Sequence, residues 1–146
     1  MSSKRIAIAS DHAGYALKET LKVFIAELGH QVDDLGTHSD ESVDYPDYGH
    51  KLAEAVGVGD AELGIAICGS GIGISIAANR HTNIRAALCH NGLAASLSRQ
   101  HNDANILALG ARLIGVDVAK DCVTQFLQTP FESGRHQKRV EKLSTC

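Results

Sequence analysis

Residues 63–79 read LGIAICGSGIGISIAAN: an apolar run, a loop with three alternating glycines, and a second apolar segment. The first six residues show no alternation of apolar and polar side chains, which is typical of a strand buried on both faces of a sheet. The glycines that follow can turn the chain sharply and aim backbone N–H groups at an anion. The stretch therefore predicts a buried strand, a tight loop and a helix, the basic unit of an α/β fold.

The rest of the chain repeats this alternation. Further strand candidates are the short β-rich runs at 5–10, 32–35, 84–89 and 106–109. Apolar residues recur at spacings of three and four over 17–28 and 115–128, which predicts helices that end at Gly29 and before Pro130. Because parallel strands need crossover connections, the pattern predicts a Rossmann-like three-layer α/β/α sandwich around a five-stranded parallel sheet.

Two segments lie outside the alternation. Residues 37–48 are polar and acidic, contain Pro46, and are predicted to form a loop. After Pro130, the basic stretch 134–139 is expected to enter a last helix. We find no repeat, linker or composition shift, so we expect a single domain over 1–146 with a helical tail from about residue 131.

Composition excludes several classes of protein. The chain is 44% hydrophobic and 21% charged, with a net charge of -3, so no overall positive field would hold a nucleic acid. No apolar run approaches the ~20 residues that span a bilayer, and the N-terminal apolar run is too short for a signal peptide. We therefore expect a soluble cytoplasmic protein with neither a nucleic-acid nor a membrane partner.

The cysteines and histidines show no metal-binding pattern. Cys68, Cys89, Cys122 and Cys146 are scattered without a CxxC pair, which fits neither a zinc site nor a disulfide framework. Cys89 and Cys122 lie among apolar neighbours and are expected in the core. The histidines form no HExxH pattern. We expect no metal and no cofactor.

Chemistry in a doubly wound fold is expected beyond the carboxyl ends of the strands. Asp11 and His12 directly follow the first strand, where Asp11 could simply cap a helix. Cys68 ends the third strand, and donors in the loop ahead of it would stabilise a thiolate. A buried strand cysteine is the commoner case in general. The glycine loop shifts our preference to a reactive thiol.

The glycine loop does not match a nucleotide-binding motif. No GK[ST] follows it, and Ile74 stands where the last glycine of GxGxxG belongs. A nucleotide-binding regulatory module stays open as an alternative. Taken alone, the glycines could also serve only to pack a helix against a strand.

Later in the chain, His101 ends a helical segment. When charged, it could interact with the negative end of the helix dipole, or it could transfer a proton during a reaction. A basic set in and before the tail could simply be solvated, or could bind an anionic substrate group, because arginines bind phosphate oxygens in a bidentate way. The residues of this set are Arg112, Arg135, His136 and Arg139.

Five stretches in order resemble the ribose-5-phosphate isomerase B family. They are DHAG at 11–14, DYP at 44–46, CGSGIGISIAAN at 68–79, SRQHNDAN at 98–105 and GRHQKRV at 134–140. The resemblance covers nearly the whole chain and implies interconversion of ribose 5-phosphate and ribulose 5-phosphate through an enediolate, without a cofactor, in the pentose phosphate pathway. It also implies the strand order 2-1-3-5-4.

The resemblance implies a role for each matching position. Cys68 would be the base that moves the carbon-bound proton, and His101 would donate a proton to open the furanose ring. Ser70 and the loop N–H groups would stabilise the enediolate. The loop residues are Gly69, Gly71, Ile72 and Gly73. One branch of the family replaces the cysteine by a carboxylate just after this loop, where the present chain has Ile74 and Ser75.

The remaining matching positions would bind substrate. Contacts to the sugar hydroxyls or ring oxygen are implied for Asp11, Tyr45 and Asn102. Contacts to the phosphate are implied for His12, Arg112, Arg135 and Arg139. The resemblance further implies a homodimer, or a tetramer, with sites at the subunit interface that the C-terminal tail reaches. Allose-6-phosphate and galactose-6-phosphate isomerases share much of the pattern, so a six-carbon substrate is the main alternative.

Overall fold

The apolar run 63–68 forms the central strand of a parallel sheet in the computed structural model, which describes residues 2–145. The five strands are β1 (Arg5–Ser10), β2 (Gln31–Asp34), β3 (Leu63–Cys68), β4 (Ala86–Leu88) and β5 (Ile106–Gly110). Their order across the sheet is β2-β1-β3-β5-β4, which confirms the expected order. Every residue of β3 is buried, because β3 has a paired strand on each side and helices on both faces.

Helices cover the sheet on both faces, as the three-layer prediction requires. They are α1 (Tyr15–Glu27), α2 (Tyr45–Gly57), α3 (Ile72–Asn79), α4 (Gly92–Asn102), α5 (Val116–Gln128) and α6 (Gln137–Leu143), with a short 3-10 turn at Gly134–His136. One core cluster joins α1, α4 and α5 to the sheet, and a second joins α2 and α3 to its other face. Within residues 2–145, we find no helix whose length and hydropathy would allow it to cross a membrane.

The amphipathic patterns account for the helices on the first face. Leu17, Leu21 and Ile25 of α1 are buried against the sheet, and Gly29 follows the helix with a φ of +96°. In α5 the buried set includes Cys122 and Phe126. Cys89 is also buried, and burial raises the pKa of both the Cys89 and the Cys122 thiols to about 11. The two thiols are core residues, as predicted.

The prediction of a loop over residues 37–48 is wrong at its C-terminal end. The helix α2 begins at Tyr45, and Pro46 lies in its first turn. The N–H groups of a first turn have no partner within the helix, so proline removes no hydrogen bond there, and its fixed φ already suits a helix. Pro46, from which a loop was predicted, therefore lies in the first turn of a helix.

The fourth strand is shorter than the predicted run 84–89. Only Ala86–Leu88 is strand, at the edge of the sheet. The side chain of Asn79 takes the place of a further strand: its Oδ1 accepts from the N–H of Ala86 at 2.7 Å, and its Nδ2 donates to the Ala86 carbonyl at 2.9 Å. The edge backbone is thus satisfied by a side chain from α3.

A cluster of charges fixes α1 to the end of β2. Lys18 is fully buried, and its Nζ lies 2.6 Å from Asp34 Oδ2, while Lys22 Nζ lies 2.7 Å from the same oxygen. Partial burial of Asp34 raises its pKa, but hydrogen bonds from Lys18, Lys22 and the N–H of Gly36 outweigh this and bring the pKa down to about 2. A buried lysine without such a partner would be costly.

Asp34→Asn tests this cluster through the pH dependence of stability. Because the folded pKa of about 2 lies below the ordinary value of 3.8, the Asp34 carboxylate stabilises the fold above pH 4 and loses that contribution as pH falls toward 2. The shift corresponds to about 2 kcal/mol. Urea unfolding at several pH values should show that, between pH 4 and pH 2, the free energy of unfolding of wild type falls by about 2 kcal/mol more than that of Asp34→Asn.

The matched control is Asp33→Asn, which removes a half-exposed carboxylate from the same strand. We expect it to keep the acid sensitivity of wild type. If Asp34→Asn also keeps that sensitivity in full, the charge cluster does not stabilise the fold as described.

Candidate active site

The carboxyl ends of the parallel strands meet at one edge of the sheet, and a cavity of about 540 Å³ lies there. Eight of the predicted site residues line it: Asp11, Tyr45, Cys68, Gly69, Ser70, Ile72, Gly73 and Arg112. Two lining residues, Ile76 and Leu113, were not predicted. Both are apolar, and neither belongs to a motif with a chemical role, so the sequence carried no signal for them.

The loop between β3 and α3 holds the thiol of Cys68 in a defined environment. The N–H of Gly71 donates to Cys68 Sγ at 3.1 Å, and the thiol is buried, with 4% of the residue exposed. The N–H of Ile72 donates to Ser70 Oγ at 3.2 Å. The loop thus holds the sulfur in place and directs a backbone N–H at it.

Gly71 is required for the shape of the loop. Its φ of +77° lies in the left-handed region, which side-chain-bearing residues rarely adopt. A Cβ at this position would also lie 2.5 Å from Leu88 Cδ1 and 2.8 Å from the backbone carbon of Leu109. The backbone of Gly71 thus turns tightly against β4 and β5, and its N–H is directed at Cys68.

Asp11 and His12 follow β1 at the same edge. Asp11 is buried and accepts a hydrogen bond from the N–H of Gly14 at 3.1 Å, so it does stabilise the local turn while it lines the cavity. His12 Nδ1 accepts from the N–H of Val43 at 3.1 Å. In the neutral ring, Nε2 is therefore the nitrogen that carries the proton and can donate to a ligand.

Two large side chains pack against glycines of the loop. The ring of Tyr45 lies where a Cβ of Gly73 would be, and the guanidinium Nη1 of Arg112 lies 3.3 Å from the Cβ position of Gly69. The N–H of Arg112 also donates to the Gly69 carbonyl at 2.9 Å. Glycine at these positions lets a phenol and a fixed positive charge approach the loop closely. The cavity thus combines a buried thiol, a carboxylate, a phenol and a guanidinium.

Six of the predicted residues do not line this cavity. Two of them, His12 and Gly71, lie at the same edge of the sheet, and the other four lie elsewhere. His101 and Asn102 end α4, Arg135 lies in the 3-10 turn, and Arg139 lies in α6. Three of the four, His101, Asn102 and Arg139, line a separate cavity of about 230 Å³. The N–H of Glu132 donates to the Gln100 carbonyl at 3.1 Å and holds the tail against the end of α4.

The strands separate the two groups of residues within one chain. At the amino edge Gly64 pairs with Ile106, and at the carboxyl edge Cys68 pairs with Gly110. Four residues of strand span about 13 Å. Because α4 returns the chain to the amino edge before β5 begins, His101 lies at the opposite edge of the sheet from Cys68. One copy of the chain does not bring them together.

His136, which the sequence analysis placed only in a general basic set, is buried in the second group. Its ring stacks on that of His101, with centroids 4.5 Å apart and planes at 20°. Burial and the positive charge of Arg135 lower the pKa of His136. Its Nε2 lies 3.9 Å from Glu132 Oε1. Residues so far apart in sequence carry no spacing signal, so only the packing of the tail on α4 reveals this cluster.

Comparisons with known proteins agree with the fold. The family model described as Ribose/Galactose Isomerase matches residues 6–143. Ribose-5-phosphate isomerase B of Escherichia coli is 48% identical over 141 residues, which are 97% of this chain and 95% of that protein. The crystal structure of a ribose 5-phosphate isomerase from Thermotoga maritima has a TM-score of 0.97 at 50% identity, covering 99% of this chain and all of that one.

A more distant relative shows that substrates differ between such proteins. The D-erythrulose-4-phosphate isomerase of Pectobacterium atrosepticum is 40% identical over 139 residues, which are 94% of this chain and 91% of that protein. The similarity is therefore strong evidence for the type of reaction and weaker evidence for the length of the sugar.

Gly71→Ala tests the account of the loop. The substitution should cost about 1–2 kcal/mol of backbone strain, and crowding against Leu88 and Leu109 should add about 1–3 kcal/mol. Gly59→Ala is the matched control, because Gly59 has a φ of +85° and no atom within 4 Å of its Cβ position. Urea unfolding should show a clearly larger loss in the free energy of unfolding for Gly71→Ala than for Gly59→Ala. Equal losses would contradict the tight packing of the loop.

Proposed function

The chain belongs to the ribose/galactose isomerase family and is an isomerase, and from that premise we propose that it interconverts D-ribose 5-phosphate and D-ribulose 5-phosphate. The observation that carries the proposal is the buried Cys68 thiol, hydrogen-bonded by the glycine loop, in a cavity that also holds Asp11, Tyr45 and Arg112. An aldose–ketose exchange has no net oxidation, so it needs a base, a proton donor and a site for oxyanion charge.

Cys68 fits the role of the base. As a thiolate it would take the proton from C2 of the open-chain aldose, and the electron pair left behind would form the C1–C2 double bond while charge moves to the C1 oxygen. Return of the proton to C1, with transfer of a proton from the C2 oxygen to the C1 oxygen, gives the ketose. One sulfur can serve both carbons because they are adjacent.

The loop fits the role of an anion hole. The developing enediolate carries its charge next to Ser70 and the N–H groups of Gly69 to Gly73. Preorganised donors of this kind contribute about 3–4 kcal/mol each to a transition state. The N–H of Gly71, which donates to the sulfur of Cys68, and its neighbours in the loop would stabilise the charge after it has moved to the substrate.

We further propose that two copies of the chain form each site. His101 of one copy would donate the proton that opens the furanose ring held by the other, and Asn102 would contact the sugar. The support is that these residues lie at the opposite edge of the sheet from Cys68, so a single copy leaves the site incomplete. The mouth of the Cys68 cavity is bordered by exposed apolar side chains that a second copy would bury: Ile72, Ile76 and Leu113, each at least 50% exposed.

The phosphate would bind between the two copies. Arginine guanidinium groups match phosphate oxygens, and Nε2 of His12 is free to donate once Nδ1 is occupied by Val43. Arg135 and Arg139 of the tail would reach the partner's site, with Arg112 beside the glycine loop. In this proposal each chain is a single domain, and its tail from about residue 131 reaches the partner and completes the partner's active site.

A reducing cytoplasmic location belongs to the same proposal. The cysteines of the described region, Cys68, Cys89 and Cys122, are free thiols. A catalytic thiolate requires a compartment that keeps thiols reduced.

A conversion assay over four-, five- and six-carbon aldose phosphates tests the substrate and the base together. We expect the highest kcat/KM with ribose 5-phosphate, and we expect Cys68→Ala to lower kcat by ~10²–10⁴ because a general base is lost. A higher kcat/KM for allose 6-phosphate or another sugar phosphate would replace ribose 5-phosphate as the substrate.

Cys89→Ala is the matched control for Cys68→Ala. Both thiols are buried, so both substitutions remove one sulfur from the interior, but Cys89 lies on the other face of the sheet and outside the cavity. We expect Cys89→Ala to retain turnover. Near-normal turnover by Cys68→Ala would end the assignment of Cys68 as the base.

Mixing two inactive variants tests the shared site. Cys68→Ala and His101→Asn should each be nearly inactive, but a mixed dimer contains one site with both wild-type residues. After co-refolding in equal amounts, about one quarter of wild-type activity should return, since half the dimers are mixed and each has one good site. Mixed dimers that form but show no activity would contradict the shared site. His101 would then act on the substrate held by its own copy, or would have no role in the partner's site.

A further inference from the structure

We propose that His101, Glu132 and His136 form a binding site for Zn²⁺ and that a zinc ion bound there inhibits the enzyme. The ligand atoms of the three side chains, one nitrogen from each ring and one carboxylate oxygen, all lie within 4.8 Å of one another. The site is distinct from the Cys68 cavity, and the inhibition, but not the binding, rests on the role proposed above for His101.

His136 provides independent evidence that this cluster can take a ligand. The residue is 94% buried, since only 6% of its surface is exposed, and its Nε2 has no hydrogen-bond partner among the described residues. A buried polar nitrogen without a partner is costly. Glu132 Oε1 is 3.9 Å from this Nε2, which is too far for a hydrogen bond but leaves room for an ion that contacts both.

The set of donors is one that zinc prefers. Two imidazoles and one carboxylate are the protein ligands of many zinc sites, in which the fourth position is left to water. Ligand atoms around a tetrahedral zinc ion lie about 3.4 Å apart at bond lengths near 2.1 Å. The present spacing of up to 4.8 Å must therefore close by up to about 1.4 Å. Glu132 is half exposed and can change rotamer to do so.

The fold brings the three ligands together before any ion arrives. The hydrogen bond from Glu132 N–H to the Gln100 carbonyl ties the tail to the last turn of α4, next to His101. Stacking of the two imidazole rings fixes His136 beside His101. The adjoining cavity of about 230 Å³ has room for the ion and its water. Binding then requires a new rotamer of Glu132 and a tilt of the two rings out of their stack, so that both nitrogen lone pairs point at the ion.

The neighbouring charges limit the affinity. Arg139 lines the same cavity, and Arg135 directly precedes His136 in the 3-10 turn, so two positive charges oppose one negative charge from Glu132. We therefore expect reversible binding, weaker than that of a structural zinc site and removable by a chelator. This is the behaviour of an inhibitory site rather than of a resident cofactor.

Inhibition follows from the position of His101. An imidazole nitrogen bound to zinc has its lone pair in the metal bond, so it can neither hold nor donate a proton. In the proposed dimer, His101 faces the substrate held by the other copy, and zinc would remove the proton donor for ring opening without touching Cys68.

The binding experiment uses the full chain after treatment with a chelator, titrated with Zn²⁺ in competition with a chromophoric chelator in phosphate-free buffer. We expect one zinc ion per chain, and an affinity lower by about tenfold or more in Glu132→Gln and in His136→Asn. Glu132 is exposed enough that Glu132→Gln should fold normally, so the test does not depend on the buried His136.

Two controls address other zinc ligands. His81→Asn removes one ring of the pair His50 and His81, whose nitrogens lie 2.7 Å apart, and Cys68→Ala removes the buried thiol. Both should bind zinc as wild type does. Absence of saturable binding, or binding that survives Glu132→Gln and His136→Asn, would overturn the site. Loss of binding in either control would do so as well.

Inhibition is measured separately, as the zinc concentration that halves each variant's own metal-free rate. Glu132→Gln should need about tenfold more zinc than wild type, and a chelator should restore the rate. Zinc binding without inhibition would overturn the inhibitory role alone. Absence of isomerase activity in metal-free protein would refute the proposed function and leave the zinc site to stand on the binding data.

Discussion

The structure depends on one constraint: β3 is buried on both faces and paired with parallel strands on both sides. Such a strand can satisfy its backbone only in the middle of a sheet, and each parallel neighbour then needs a crossover helix. All strands therefore end at the same edge. The Cys68 cavity lies at that edge, beyond the carboxyl ends of the strands, where open parallel sheets commonly bind ligands.

The same constraint explains why one loop can hold the chemistry. The first residue after β3 must leave the sheet in a space bounded by β1 and β5, and glycines allow it to turn there without side-chain clashes. The N–H groups freed by the turn have no strand to pair with. One of them donates to the sulfur of Cys68. A requirement of packing thus produces a local preference for negative charge, and an isomerase that forms an enediolate can use that preference.

Parallel topology also divides the polar residues of the chain. Helices return each crossover to the amino edge, so residues at helix ends, such as His101, gather away from Cys68. In the proposed dimer, two copies placed edge to edge would offer both sets of groups to one substrate. The division also places His101, Glu132 and His136 together at the amino edge. Their proximity follows from the packing of the tail on α4.

The sequence alone determined the fold class and eight of the ten residues that line the Cys68 cavity, because these depend on short-range patterns: apolar runs, glycine spacing and the residues that directly follow strands. The strand order came from the family resemblance. The sequence misjudged the start of α2, since Pro46 suits both a loop and a first helical turn and only the packing of the helix distinguishes them. It also could not show that Cys68 and His101 lie at opposite edges, or that His136 stacks on His101. Those relations join segments far apart in the chain, and only the tertiary structure fixes distances between such segments.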